Sequence, residues 1–396
     1  MSAVSPLRVV QQFLHEHSYF EALEALERES QTKFVASQMQ KGAALETLVL
    51  EINDRRAADQ ALTLGSDSVS LRNLEEQLLQ AKAPETPLQQ VSSIDDLHAS
   101  NIICVAVHPD GVLMATGSTD RSIKLTEIAT GTVSQSLDAH TTPVLAVDWN
   151  PVNTNLLLST AMDGGCCVTD VTTGATVSRF KDHAKYATRA KWAPSGDLFL
   201  TAAHDKSVNV YVRGEGDQEG FVLRQRLYFS AVIESLDISP IANMAVVAVR
   251  EDNHLHLVDL DSLDITKMNM NETGDSHVSF TALDVRFSPD GSWLLIGTDK
   301  NRAFLYPVGD SKQLRVFLGH TSEELGQCRV VWGPNGNFVA ASSQDNTLVV
   351  WEVASQKMLA RLKGHQGVIR DVAVIATTGA IVTASFDKSV KVWSFC

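Results

Sequence analysis

Residues 364–393 read GHQGVIRDVAVIATTGAIVTASFDKSVKVW, and this stretch decides the fold. His365 precedes Asp387 by 22 residues, and the apolar residues Val390 and Val392 alternate with polar ones after the Asp. Alternation with a period of two is typical of a half-buried β-strand. The stretch therefore predicts two strands, a tight turn that contains the Asp, and a third strand.

The same pattern recurs about every 44 residues from residue 98 onward. The turn Asp has analogues separated by 43, 42, 47, 47, 46 and 42 residues, at Asp120, Asp163, Asp205, Asp252, Asp299, Asp345 and Asp387. An apolar stretch that ends in Pro precedes six of them, and a His precedes each Asp except Asp252, where Ser230 takes its place. A fixed period of this length indicates a repeat architecture, so we predict seven small antiparallel sheets.

These residues resemble the WD-repeat family, in which each unit is one blade of a β-propeller. The resemblance implies blades with a hydrogen-bonded set of His, Asp and an aromatic residue. Complete sets are expected at His320, Asp345, Trp351 and at His365, Asp387, Trp393, and approximate ones at His183, Asp205, Tyr211 and at His277, Asp299, Tyr306. Blades that lack the Trp, and blade four, which lacks the His, are expected to rely on ordinary packing.

The seventh unit has only three predicted strands and lacks its fourth. The segment at about 88–95 lies just before the first unit, in the position that the fourth strand of one unit takes before the next unit. We therefore expect it to pair with the last strand and close a propeller that extends over 88–396. Closure removes exposed strand edges, which otherwise favour aggregation.

Residues 4–34 predict two short amphipathic helices ahead of the propeller. Ser5-Pro6 and Ser18 with Glu21 are typical helix starts. The pattern resembles the LisH motif, which dimerises through paired helices, and its apolar residues are Leu7, Val10, Phe13, Leu14, Tyr19, Ala22, Leu23 and Leu26. Such short helices are marginal alone, so self-association is the favoured interpretation and docking on their own propeller is the alternative.

Between this motif and the propeller, apolar spacing predicts further helix. Residues 35–82 form this helical segment, a possible short coiled coil, and residues 83–87 form a Pro-containing linker. The predicted fold class is thus mainly β: a seven-bladed propeller preceded by a small α-helical dimerisation arm.

Composition excludes several classes of protein. The net charge is −14, with −7 in residues 1–97 and −7 in the remainder, which argues against nucleic-acid binding and favours a basic protein partner. No apolar run is long enough to span a membrane, and no secretory signal is recognised at Met1. Five cysteines without metal-ligand spacing suit a reducing cytoplasm, with the nucleus as the alternative.

The sequence offers no cofactor, metal or catalytic site. His254 and His256 alternate along one strand but lack further ligands, so they are interpreted as a solvated face. Candidate partner contacts are the residues that precede the turn Asp at the top of three blades, Met162, His204 and Phe386, and the alternative is that these are scattered surface residues without a binding role.

The favoured function is a non-enzymatic intracellular scaffold or adaptor. It would form a homodimer through the arm and bind protein partners on the propeller, with a layout similar to that of lissencephaly-type regulators of dynein. An adaptor subunit of a ubiquitin ligase or of a nuclear co-repressor complex is the alternative.

Overall fold

The computed structural model describes residue 76 and residues 78–80, 82–214, 220–271, 273–322 and 326–396. The LisH-like segment 4–34 and nearly all of the helical segment 35–82 lie outside these residues, so the predictions made for them stay predictions. All described residues except Ile265–Lys267 belong to one compact unit.

The described chain forms 28 β-strands. Blade 1 contains β2 (Ile102–Val107), β3 (Leu113–Ser118), β4 (Ile123–Glu127) and β5 (Val133–Leu137); blade 2 contains β6 (Val144–Trp149), β7 (Leu156–Ala161), β8 (Cys166–Asp170) and β9 (Thr176–Phe180). Blade 3 contains β10 (Ala187–Trp192), β11 (Leu198–Ala203), β12 (Ser207–Arg213) and β13 (Phe221–Tyr228); blade 4 contains β14 (Ile233–Ile238), β15 (Met244–Val249), β16 (His254–Asp259) and β17 (Ile265–Asn269).

The remaining strands build blades 5 to 7. Blade 5 contains β18 (Ala282–Phe287), β19 (Trp293–Thr298), β20 (Arg302–Pro307) and β21 (Arg315–Leu318), and blade 6 contains β22 (Val330–Trp332), β23 (Phe338–Ser342), β24 (Leu348–Glu352) and β25 (Met358–Leu362). Blade 7 contains β26 (Ile369–Val374), β27 (Ile381–Ser385), β28 (Val390–Phe395) and, from the start of the domain, β1 (Leu88–Ile94).

Seven four-stranded sheets are arranged in a ring. The first strands of the blades contact one another in the order β2, β6, β10, β14, β18, β22 and β26, and β26 returns to contact β2. These strands therefore surround the centre of the propeller. The seven-bladed β-propeller predicted from the repeats is confirmed.

The hydrophobic core lies between neighbouring blades. One cluster joins Leu125 of blade 1 to Val144 and Trp149 of blade 2, and another joins Leu305 of blade 5 to Trp332 of blade 6. Alternating strand residues give each sheet two apolar faces, so both faces have to be covered by adjacent sheets. Each blade is stable only as part of the ring.

The ring is closed by β1, which pairs antiparallel with β28 from Leu88 opposite Phe395 to Ile94 opposite Val390. Ile94 is buried in the cluster between blades 7 and 1, and Leu88 packs in the cluster between blades 6 and 7. The first and last strands of the domain are therefore held in one sheet, although about 300 residues separate them.

The residues just before β1 lie against the propeller. Leu78, in a short helical segment, is buried among Trp293 and Trp332. Ala83 donates its backbone N–H to Glu352 Oε1 at 3.0 Å, and the carbonyl of Lys82 accepts a hydrogen bond from Asn337 at 3.2 Å. The end of the segment predicted as 35–82 thus packs on blades 5 and 6.

The closure can be tested by two truncations. We expect deletion of residues 1–95 to lower the melting temperature by about 10 °C or more relative to deletion of residues 1–82, because loss of several kcal/mol shifts a domain of this size by that amount. The second truncation keeps β1 and is the matched control. Differential scanning calorimetry measures both, and equal melting temperatures would contradict the closure.

Candidate partner-binding site

Blade 7 contains a complete hydrogen-bonded set. His365 Nδ1 lies 2.9 Å from Asp387 Oδ2, and its Nε2 lies 2.8 Å from Thr383 Oγ1. Trp393 Nε1 donates to the same Thr383 hydroxyl at 3.0 Å. Burial opposes ionisation of Asp387, but hydrogen bonds from Ser389 and His365 lower its pKa to about 2. The set links β27, β28 and the turn between them to the loop that enters the blade.

In blade 3 the set lacks its aromatic member. His183 Nδ1 lies 3.1 Å from Asp205 Oδ2, and its Nε2 lies 2.8 Å from Thr201 Oγ1. Tyr211, expected as an approximate member, instead donates its hydroxyl to Asp182 at 3.0 Å. The hydroxyl of a Tyr lies further from its backbone than the indole N–H of a Trp does, so Tyr211 reaches beyond the set to Asp182 in the preceding loop.

Blade 1 contains a set that sequence reasoning missed. His98 Nδ1 lies 3.0 Å from Asp120 Oδ2, and its Nε2 lies 2.8 Å from Thr116 Oγ1. Thr126 occupies the position of the blade 7 Trp, and for that reason this blade was expected to rely on ordinary packing. The 22-residue spacing from His to Asp, which equals that of blade 7, is the signal that could have found it.

The set expected in blade 6 is not formed. His320 is buried, yet within the described residues neither of its ring nitrogens makes a hydrogen bond. Asp345 pairs with Arg361 at 2.7 Å, and Trp351 Nε1 donates to the Leu318 carbonyl at 2.9 Å. Three more residues separate His320 from Asp345 than separate His365 from Asp387 in blade 7. Burial lowers the pKa of His320 to about 4, so its ring is neutral at neutral pH.

Blades 4 and 5 also depart from the expected sets. His277 is exposed, and Asp299 accepts the backbone N–H of Thr281 at 2.9 Å, so these two do not form a set. Asp252 is bonded by two residues of the following strand, His256 Nε2 at 2.9 Å and His254 Nδ1 at 3.2 Å. The solvated face predicted for this pair is wrong for His256, which is buried.

The turn Asp has the same role in every blade in which a Ser, Thr, Gly or His follows it by two residues. Its carboxylate accepts the backbone N–H of that residue, as in Asp387 from Ser389 at 3.0 Å and Asp163 from Gly165 at 3.1 Å. Except in blade 4, the intervening residue adopts a left-handed conformation, with φ of +67° at Lys388 and +82° at Gly164; in blade 4 the left-handed residue is Glu251, which precedes the Asp. The carboxylate thus satisfies a donor that the tight turn leaves free.

Two of the predicted top-face residues lie on one surface. Met162 in the blade 2 turn is 40% exposed, and His204 in the blade 3 turn is half-buried. Tyr186, which sequence reasoning missed, is 44% exposed with its ring 5.7 Å from that of His204. The two blades touch here, because a Cβ on Gly164 would lie 2.8 Å from the Lys185 carbonyl oxygen. We call Met162, Tyr186 and His204 the blade 2–3 patch.

The third predicted contact, Phe386, lies in blade 7 and is partly covered. The Arg370 guanidinium lies over its ring at 5.1 Å from the centroid, a cation–π contact. Phe386 is therefore half-buried and separated by blade 1 from the blade 2–3 patch.

Neither a metal centre nor a membrane span is found in the part of the chain that the structure describes. No three His, Cys, Asp or Glu side chains converge there as metal ligands. No helix there is long and apolar enough to cross a bilayer.

Comparison with known families identifies the type of repeat that forms the blades. The family described as WD domain, G-beta repeat matches residues 89–126, 131–170, 174–211, 311–352 and 356–394. The propeller is built of WD repeats. The matched ranges omit residues 212–310, which include blade 4, where Ser230 replaces the His, and most of blade 5, where the expected His277 and Asp299 do not meet.

Several curated proteins are similar to this chain at low identity. They include a "Transcriptional corepressor LEUNIG_HOMOLOG" of Arabidopsis thaliana, 22% identical over 60% of this chain and 33% of the relative. A "WD repeat-containing protein 26 homolog" of the same plant is 22% identical over 77% of this chain and 50% of the relative. A "Guanine nucleotide-binding protein subunit beta" of Oryza sativa subsp. japonica is 20% identical over 66% of this chain and 83% of the relative. The chain spans a third to a half of the length of the first two.

The contrast between blades 6 and 7 predicts that the same substitution has a large effect on stability in blade 7 and a small one in blade 6. We expect His365→Leu to lower the free energy of unfolding by about 2–4 kcal/mol, because it removes one buried hydrogen bond from each of Asp387 and Thr383. His320→Leu is expected to change it by less than about 1 kcal/mol, because an unbonded imidazole is replaced by an apolar group. Urea denaturation of both variants measures this, and equal losses would show that His320 is bonded.

Proposed function

We propose that this WD-repeat chain is a non-enzymatic scaffold that binds partner proteins on the top face of its propeller. The observation that carries the proposal is the blade 2–3 patch, where a Met and a Tyr are exposed on touching turns of adjacent blades. Tyr and Met are enriched at protein interfaces, and a patch held by two blades is positioned before the partner arrives.

The charge of the chain favours a basic partner segment. Residues 98–396 carry a net charge of −7, so the propeller attracts cationic peptides and repels nucleic acid. Asp163 follows Met162 directly in the blade 2 turn and is the carboxylate adjacent to the patch. An apolar anchor for the patch, flanked by Lys or Arg, is the recognition element that fits.

We also propose that two copies pair through residues 4–34. The support is the sequence pattern that resembles LisH, together with the narrow apolar face formed by Val10 and Leu14. A dimer would present two propellers, and two linked sites raise the apparent affinity for a partner with two copies of the recognition segment. Regulation of dynein, by analogy with lissencephaly-type proteins, rests on this order of arm and propeller.

The second candidate is an adaptor in a nuclear co-repressor complex or a ubiquitin ligase. The similarity to a relative named as a transcriptional corepressor favours the first of these. We propose the cytoplasm as the compartment and the nucleus as the alternative. All five cysteines are free and four are buried, which suits a reducing compartment.

Substitution in the patch tests the docking face. We expect Met162→Ser with Tyr186→Ala to reduce recovery of the partners captured by the tagged full-length chain about tenfold or more, because apolar anchors dominate interface energies. Quantitative mass spectrometry of affinity-purified complexes measures this.

Ile241→Ala is the matched control. Ile241 is 71% exposed in the turn between β14 and β15, at the opposite end of its blade from the turn that contains Asp252, so its loss removes exposed apolar area without touching the patch. If partners persist in the patch variant, or are lost equally in the control, the top-face assignment is wrong.

Pairing is tested separately. We expect the double substitution Val10→Asp and Leu14→Asp to halve the mass measured by light scattering, because charges in a buried apolar seam oppose association. The wild-type chain is measured at the same concentration. An unchanged mass would overturn the dimer and favour helices that dock on their own propeller.

A further inference from the structure

The central cavity of the propeller is lined by charged side chains that match one another. It has a volume of about 440 Å³ and is bounded by the first strands of the blades. Its cations pair with carboxylates of the same rim, as Lys191 does with Asp148 at 3.1 Å and Arg286 with Asp284 at 3.4 Å. The central cavity therefore belongs to the interface between blades, and a second cavity has a different character.

This second cavity opens where blades 5 and 6 meet and has a volume of about 430 Å³. It lies at the turn between β18 and β19 and the turn between β22 and β23, which are at the opposite end of their blades from the turns that contain the Asp. We call it the bottom crevice. Its apolar lining consists of Leu78, Pro289, Trp293, Trp332 and Pro334.

The polar groups at the mouth of the bottom crevice are bonded within the propeller. The Ser288 hydroxyl donates to Asp290 and accepts the backbone N–H of Trp293 at 2.9 Å. Trp332 Nε1 donates to the Arg286 carbonyl at 3.3 Å. The crevice therefore offers apolar surface to an occupant, and an apolar side chain is the kind that fits.

One side chain from the segment before β1 already packs at the bottom crevice. Leu78 is 4% exposed and belongs to the same hydrophobic cluster as Trp293 and Trp332. Leu79, the next residue, is 59% exposed, and residues 78–80 are helical. The segment therefore turns one face of a helix to the propeller and the other to solvent.

The end of this segment is fixed on blade 6, close to the start of the closing strand. Lys82 accepts a hydrogen bond from Asn337, and Ala83 donates one to Glu352. The closing strand β1 then begins at Leu88 and pairs on one side only, with β28. An edge strand near the start of a domain frays unless the chain before it is tied down. The contacts of the segment therefore bear on the closure of the ring.

The sequence continues the buried face of this helix towards the N-terminus. Leu74 and Leu71, which lie outside the described residues, precede Leu78 by four and seven positions. Residues with this spacing share one face of a helix. At a rise of about 1.5 Å per residue, they extend the apolar face beyond Leu78 by about 6 and 10 Å.

We propose that residues 71–82 form one amphipathic helix docked in the bottom crevice, and that this helix clasps β1 to the ring. Leu74 and Leu71 lie beside Leu78 and continue its contact with the crevice. The occupant is the chain's own segment, because its covalent link to β1 keeps it at the crevice at a high effective concentration. The crevice is at the other end of the blades from the blade 2–3 patch, so the proposal does not rest on the function proposed for that patch.

Hydrogen–deuterium exchange of the full-length chain tests the clasp. We expect Leu74→Asp to speed exchange of the β1 amides about tenfold or more and to lower the melting temperature by about 3 °C or more. The reason is that a charged side chain is excluded from an apolar crevice, so the chain before β1 is released. Leu79→Asp is the matched control in the same helix, and because Leu79 is exposed it should leave both values unchanged.

Three results would overturn the proposal. Equal effects of the two substitutions would mean that helix formation matters and docking does not. Exchange of residues 71–82 in the wild-type chain at the rate of an unstructured peptide would leave the crevice open to a partner. Protection that is lost when the protein is diluted about tenfold would assign the crevice to a second copy of the chain.

Discussion

The pairing of β1 with β28 joins the two ends of the propeller and thereby holds all seven blades in a closed ring. Each blade has two apolar faces, and a ring covers all of them only if no gap is left between the first and last blades. Pairing at Ile94 and Val390 closes that gap and brings the core cluster between blades 7 and 1 together. Long-range closure of this kind makes the stability of every blade depend on the others.

A second set of interactions acts at the inner rim. The first strand of each blade is an edge strand, so its N–H groups face the cavity without a sheet partner. Asp148, Asp237, Asp284 and Asp371 meet this demand by reaching across to the next blade. Arginines such as Arg286 then balance their charge. The charged centre is therefore part of the interface between blades.

The repeat spacing was sufficient to predict seven blades and the closing strand, because period and alternation report backbone geometry directly. Membership of the hydrogen-bonded sets was less predictable, since it depends on loop length as well as residue type. His320 is a matching residue on a loop of different length, whereas His98 forms its bonds without the aromatic residue. The central cavity was not predicted from the sequence, because charged residues that alternate along a strand, such as Arg189 and Lys191, have the same pattern whether they line a cavity or face solvent.

Blade 4 illustrates how a turn can be stabilised without the family's residues. Asp252 has lost the His of the preceding loop, and His254 and His256 from its own third strand supply the donors. Because the replacement comes from within the same sheet, the preceding loop supplies no side chain to this Asp, and at Ser230 it accepts a hydrogen bond from Lys206 through its backbone carbonyl instead. The top-face loops of a propeller can therefore diverge in sequence while the turns beneath them keep their carboxylates, and this separates the surface that binds partners from the bonds that maintain the ring.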